Sequence, residues 1–133
     1  MSLAPNPPRS RLQRSTILVV DDDVDLRESM EEILELQGYL VTTASHGQHA
    51  LDLLRSGEHP QLILLDLMMP VMNGAEFLVE MRADPGLQHI PVLLVTAFSD
   101  RAKDLPAQHV LGKPVDFPSF FRLLAKFTTE AEP

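Results

Sequence analysis

The sequence predicts an α/β protein in which a parallel sheet is covered by helices on both faces. Three apolar runs, Ile17-Leu18-Val19-Val20, Leu62-Ile63-Leu64-Leu65 and Val92-Leu93-Leu94-Val95, are continuous rather than alternating, as suits strands buried on both sides. Between them lie longer segments whose apolar residues recur at three- and four-residue steps, the spacing of one helix face. Strand and helix alternate along the chain, and that rhythm gives a layered sandwich with right-handed crossovers.

Each element has its own local reason. Residues 1–15 carry Pro5, Pro7, Pro8, Arg9, Arg11 and Arg14 with few apolar side chains, so they cannot offset the entropy of ordering and a disordered tail is expected. The pattern changes at Thr16, where the first strand begins. In the first helix Leu26, Met30, Ile33 and Leu34 form the apolar face, with Arg27, Glu28, Glu31 and Glu32 on the other side; Asp23 is its N-cap and Gly38 its C-cap. A weak strand follows from Tyr39 to Thr43, then a helix from Gly47 to Arg55 that stops at Gly57. The third helix starts near Asn73, turns Phe77, Leu78 and Met81 inward and ends before Pro85. A short fifth strand is expected around His109 to Gly112, and the last helix begins at Asp116 and packs Phe117, Phe120, Phe121, Leu124 and Phe127. Only 17 steps separate Thr96 from Lys113, and Pro106 lies among them. That span leaves room for little more than one helical turn, about Ser99 to Lys103. One folded domain is expected over residues 16–128, with a C-terminal tail over 129–133.

The 133 residues hold 11 Lys and Arg against 19 Asp and Glu, a formal charge of −8. The tail has three arginines and no acid, which leaves −11 on the other 118 residues. Such a surface argues against nucleic acid or an anionic membrane as the main partner, because a polyanion needs a basic face. There is no cysteine, so disulfides, thiol catalysis and cysteine-held metals are excluded. No apolar stretch is long enough for a membrane span or a secretory signal, and a cytoplasmic location is expected.

The strands end in polar residues that their apolar runs do not require: Asp21-Asp22-Asp23, Asp66, Thr96, and Gly112-Lys113-Pro114. Ligands of open parallel sheets bind at the carboxyl ends of the strands, so Asp21, Asp22, Asp66, Thr96 and Lys113 should converge. Taken singly, Thr96 suits a strand end and Lys113 a solvated surface. Capping accounts for Asp23 but not for Asp21, Asp22 and Asp66 together. Two carboxylates about 4 Å apart repel by roughly 4 kcal/mol at an effective dielectric of 20, so three require a cation. A hard divalent ion, Mg²⁺ by preference, takes such oxygen ligands. A carboxylate, a metal ion, a lysine and a hydroxyl together suit phosphoryl transfer through an aspartyl phosphate. No glycine-rich nucleotide loop is present, and His46, His49, His59, His89 and His109 lack metal-ligand spacing.

The stretches Ile17-Leu18-Val19-Val20-Asp21-Asp22-Asp23, Leu64-Leu65-Asp66-Leu67-Met68-Met69-Pro70 with Met72-Asn73-Gly74, Val95-Thr96-Ala97 and Lys113-Pro114 resemble the receiver domain of two-component response regulators. The resemblance covers about residues 16 to 128. It implies a flavodoxin-like three-layer sandwich with a five-stranded parallel sheet in the order 2-1-3-4-5, here with a shortened or missing fourth helix. It implies Asp66 as phosphoacceptor, Thr96 as switch hydroxyl and Lys113 as counter-charge. Asp22, Asp66 and the Met68 carbonyl would be Mg²⁺ ligands, with Asp21 acting partly through water, and Lys113-Pro114 would be cis. The implied donor is a histidine kinase or phosphotransfer protein, with a downstream protein as second partner and a homodimer as an open possibility.

The resemblance also departs from the family. An aromatic residue is usual three positions before the lysine, where this chain has Val110, and the span to the lysine is short. The expected function is a signalling module that catalyses only its own phosphorylation and dephosphorylation. Two alternatives remain: a degenerate receiver serving as a protein-interaction module, and an aspartate-nucleophile phosphohydrolase. The second would want another acid two residues after the nucleophile, where Met68 stands.

Overall fold

The computed structural model describes residues 16–128; the segments expected as tails, 1–15 and 129–133, lie outside the described residues. Five strands, β1 (Thr16–Val20), β2 (Leu40–Ala44), β3 (Leu62–Leu65), β4 (Val92–Thr96) and β5 (His109–Gly112), alternate with four helices, α1 (Val24–Leu36), α2 (Gly47–Arg55), α3 (Gly74–Arg82) and α4 (Phe117–Thr128). All strand pairs are parallel and the order is β2-β1-β3-β4-β5, as the resemblance implies. The second strand starts one residue later than expected, at Leu40 instead of Tyr39, because the α1 C-terminus uses Tyr39 N–H to reach the Leu34 carbonyl at 3.1 Å.

The continuous apolar runs divide between two cores. Leu18, Val20, Ile63, Leu65, Val92 and Leu94 face α2 and α3, where Leu51, Leu54, Phe77, Leu78 and Met81 meet them. Ile17, Val19, Leu62, Leu64, Leu93 and Val95 face α1 and α4, against Met30, Leu34, Phe120 and Leu124. Alternate side chains of each strand go to opposite layers, which is why the runs need apolar residues at every position.

Between β4 and β5 the chain makes only a 3₁₀ turn, Ser99–Ala102, close to the predicted single turn. Its buried Ala102 packs into the first core. The remainder of the span is held by Arg82, whose guanidinium donates to the carbonyls of Gln88, Ile90 and Pro106 and to Gln108 Oε1. Gln108 Oε1 also accepts the Val92 amide at 2.7 Å. The last helix differs in one detail from its expected packing: Phe117 is at the rim, 36% exposed, while Phe120 and Leu124 are buried.

Candidate functional site

The strand order reverses between β1 and β3, and the carboxyl ends of these two strands carry Asp21-Asp22 and Asp66. One oxygen from each of Asp21, Asp22 and Asp66 lies within 4.8 Å of the others. An octahedral Mg²⁺ with bonds of about 2.1 Å sets its ligand oxygens about 3 to 4.2 Å apart, so this cluster fits such an ion after small side-chain rotations. Asp21 and Asp66 are buried and Asp22 is exposed, which gives the site a rigid floor and an open edge.

Lys113 enters from the end of β5. Its Nζ donates to Asp21 Oδ2 at 3.1 Å and stands 3.8 Å from Asp66 Oδ2. The Lys113–Pro114 peptide is cis. Burial pushes the Asp66 carboxyl above the usual range; the Lys113 ammonium acts against this, Asp21 adds to it, and the Leu67 and Met68 amides that bond the carboxylate lower it. A cavity of about 280 Å³ lies beside the carboxylates, walled largely by apolar side chains, among them Val19, Leu64, Val95, Met30, Val115 and Phe117.

The loop after β3 is built around close backbone approach. Gly74 at the start of α3 lies where a Cβ would stand 2.6 Å from the Asp66 carbonyl oxygen, and its N–H donates to the Leu67 carbonyl at 2.8 Å. Asn73 and Glu76 form a reciprocal capping box that fixes this helix start. Val71 has φ +65°, a left-handed conformation costly for a β-branched residue, and it is locked between Pro70 and Met72, whose carbonyl takes the Gly47 N–H at 3.0 Å. Met68 lies in this loop, 44% exposed.

Thr96 is fully buried, and its hydroxyl oxygen accepts the Phe98 amide at 3.1 Å, which leaves the hydroxyl proton to donate elsewhere. Asp23 is on the helix, as its position predicts: its carboxylate accepts the Leu26 amide at 3.1 Å. Two neighbours were not picked out from sequence. Arg27, placed on the solvated helix face, is half-buried and donates to the Asp21 carbonyl at 2.7 Å. Phe98 is exposed with the Arg101 guanidinium 4.9 Å from its ring centroid. An aromatic residue two positions after Thr96 was the available signal for the second; Arg27 offered only its basic charge near the acids.

An acidic cluster with one lysine thus lies at the switch point of a five-stranded, flavodoxin-like α/β sandwich. The chain belongs to the response regulator receiver domain family, whose description matches residues 17–125. It is 30% identical over 125 residues to the polar-differentiation response regulator DivK of Brucella ovis, covering 90% of this chain and all of that protein. Among solved structures it is similar to the receiver domain of a histidine kinase from Syntrophus aciditrophicus, with TM-score 0.81, 28% identity and coverage of 89% and 92% of the two chains. It is also similar to TrrA of Thermotoga maritima, whose structure is a complex with Mg²⁺ and beryllium fluoride; here the TM-score is 0.76, the identity 33% and the coverage 85% and 98%. Receiver domains are signalling modules that bind Mg²⁺ in an acidic cluster and interact with histidine kinases or phosphotransfer proteins and with downstream effectors. Among the described residues no helix is long and apolar enough to cross a membrane.

Proposed function

We propose that this receiver takes a phosphoryl group onto Asp66 from a phosphohistidine of a histidine kinase or phosphotransfer protein, in a reaction that requires Mg²⁺. The observation that carries this reading is the convergence of Asp21, Asp22 and Asp66 within 4.8 Å of one another, with the Lys113 ammonium beside Asp21 and Asp66. One Asp66 oxygen attacks phosphorus, the bond from phosphorus to the donor imidazole nitrogen breaks, and that nitrogen keeps the electron pair. Attack of water on phosphorus later releases inorganic phosphate and regenerates the carboxylate. Asp21, Asp22, Asp66 and the Met68 carbonyl would hold the Mg²⁺, which when bound neutralises charge on the phosphoryl oxygens.

Lys113, beside Asp66, supplies a counter-charge, and the Thr96 hydroxyl proton is available to a phosphoryl oxygen. Met68 at the second position after Asp66 leaves no acid there to protonate a leaving group, which favours a signalling module over a phosphohydrolase. The test is incubation with Mg²⁺ and a small phosphoramidate donor. Wild type should gain one hydroxylamine-sensitive phosphoryl group by intact mass, and Asp66→Asn none. Equal labelling of the two proteins, or labelling that survives removal of Mg²⁺ by chelation, would refute the reading.

A further inference from the structure

We propose that Arg27 is a positioning residue of the metal site, acting through the peptide that joins Asp21 to Asp22; the inference rests on the Mg²⁺ site proposed above. Arg27 Nη1 donates to the Asp21 carbonyl oxygen at 2.7 Å. That carbonyl and the Asp22 N–H belong to one planar unit, so a bond on the oxygen fixes ψ of Asp21 and φ of Asp22 together. Those two angles decide where the Asp22 side chain starts. Asp22 is exposed, so packing does little to hold it.

The rest of the acidic turn has separate anchors. Asp21 N–H donates to the Ala44 carbonyl at 3.1 Å, Asp21 Oδ1 accepts the Asp23 amide at 3.0 Å, and Oδ2 accepts Lys113 Nζ at 3.1 Å. Arg27 is itself fixed by the helix. Its N–H donates to the Asp23 carbonyl at 2.9 Å, in the turn that the Asp23 carboxylate caps through Leu26. A closed ring of hydrogen bonds thus runs from Asp21 through Asp23 and the first turn of α1 to Arg27, and back to the Asp21 carbonyl. The long planar side chain reaches a carbonyl six residues earlier, and among the described residues it makes no ion pair within 4.0 Å. Its charge sits at the rim of the site, and its bond goes to a backbone carbonyl and occupies no carboxylate oxygen.

Charge and positioning make opposite predictions. A cation beside a Mg²⁺ site repels the ion, so loss of charge alone tightens binding. Loss of orientation weakens it, by about tenfold at the low end of what outer-shell partners of metal ligands contribute. The folded protein, with Arg27→Met and Arg27→Lys, is titrated with MgCl₂ and followed by the amide NMR signals of Asp21, Asp22 and Asp66, with thermal unfolding of the same samples. Arg27→Met should bind Mg²⁺ about tenfold more weakly, with the Asp21 carbonyl carbon and Asp22 amide nitrogen shifts displaced before metal is added. Arg27→Lys, which keeps the charge and one donor, should fall between it and wild type. If Arg27→Met does not fold, Arg27→Lys must still bind more weakly than wild type. Unchanged or tighter Mg²⁺ binding overturns the inference, including where the unfolding midpoint alone falls. Absence of Mg²⁺-dependent shifts in wild type removes the metal site itself, a failure distinguishable from one confined to the variants.

Discussion

Lys113 is bound more closely to Asp21 than to Asp66: its Nζ is 3.1 Å from the first carboxylate and 3.8 Å from the second. This ammonium offsets the charge of the two buried carboxylates of the cluster. Lys113→Met should therefore lower stability by about 1–2 kcal/mol, since it leaves a buried carboxylate without its charged donor. The same change should strengthen Mg²⁺ binding, because a competing cation is gone. Denaturant unfolding and a Mg²⁺ titration on one preparation test both parts, and a variant with weaker Mg²⁺ binding would contradict the competition.

Asp66 carries a pH signature. Its carboxyl is raised above the usual range, chiefly by burial, so just above that range the folded protein holds more protons than the unfolded chain. Stability must then fall as pH rises through the window between the unfolded and folded values, and level off above it. Asp66→Asn removes the ionising group and its repulsion from Asp21. At neutral pH without Mg²⁺ the variant should be more stable by about 1 kcal/mol, and the difference should close as pH falls below about 4. Denaturation curves at both pH values measure this; a gap that persists in acid would assign the effect to packing.

Asp23 and Asp22 are neighbours with different work. Asp23→Ala should cost about 1 kcal/mol of stability by loss of the Leu26 cap, yet leave most of the phosphorylation rate intact. The backbone N–H of residue 23 that holds Asp21 Oδ1 survives the substitution. A loss of phosphorylation equal to that of Asp66→Asn would show that the cap side chain belongs to the site.

Gly74 ties the α3 start to the Asp66 backbone. A methyl there meets the Asp66 carbonyl oxygen at 2.6 Å and Leu67 Cα at 2.9 Å, both backbone atoms that cannot rotate away. Gly74→Ala should cost about 2 kcal/mol and slow phosphorylation by displacing Asp66. Wild-type stability in this variant would mean the loop yields more easily than its contacts indicate.

The sequence reveals most where one physical demand acts on consecutive residues. The continuous runs in β1, β3 and β4 follow from burial on both faces, and α2 begins at Gly47 and ends at Arg55 as its period and glycine signals indicate. The acidic strand ends were readable because apolar runs have no use for Asp21 or Asp66. What stayed hidden depends on contacts between distant backbone atoms. Arg27 reaches the Asp21 carbonyl, Arg82 reaches the Pro106 carbonyl, and the Thr96 oxygen accepts the Phe98 amide, none of which leaves a period or spacing. Charge near acids suggested only solvation for Arg27, since a backbone acceptor has no sequence signature.

The span between Thr96 and β5, where the chain is short, is the expected output segment. Val110 is a half-buried β-branched residue packed on the first core, with no ring to swing where the family usually has one. Above it the chain has a single 3₁₀ turn, and Ala97, Phe98 and Asp100 are exposed. Such a segment opens at lower free energy than a packed helix. A phosphoryl group that draws the Thr96 hydroxyl would disturb the bond from Phe98 N–H and with it the entry to the turn. The far end is fixed, because Arg82 grips the Pro106 carbonyl at 2.9 Å and Gln108 N–H holds the Val92 carbonyl at 2.9 Å. Phosphorylation should therefore change the order of residues 97–105, with smaller change at 106–108, rather than rotate an aromatic side chain. Hydrogen exchange with and without Mg²⁺ and beryllofluoride measures it. Arg82→Met should extend the altered region through residue 108, because the clamp is what limits it. Unchanged protection across 97–108, with changes confined to α1, would place the output surface elsewhere.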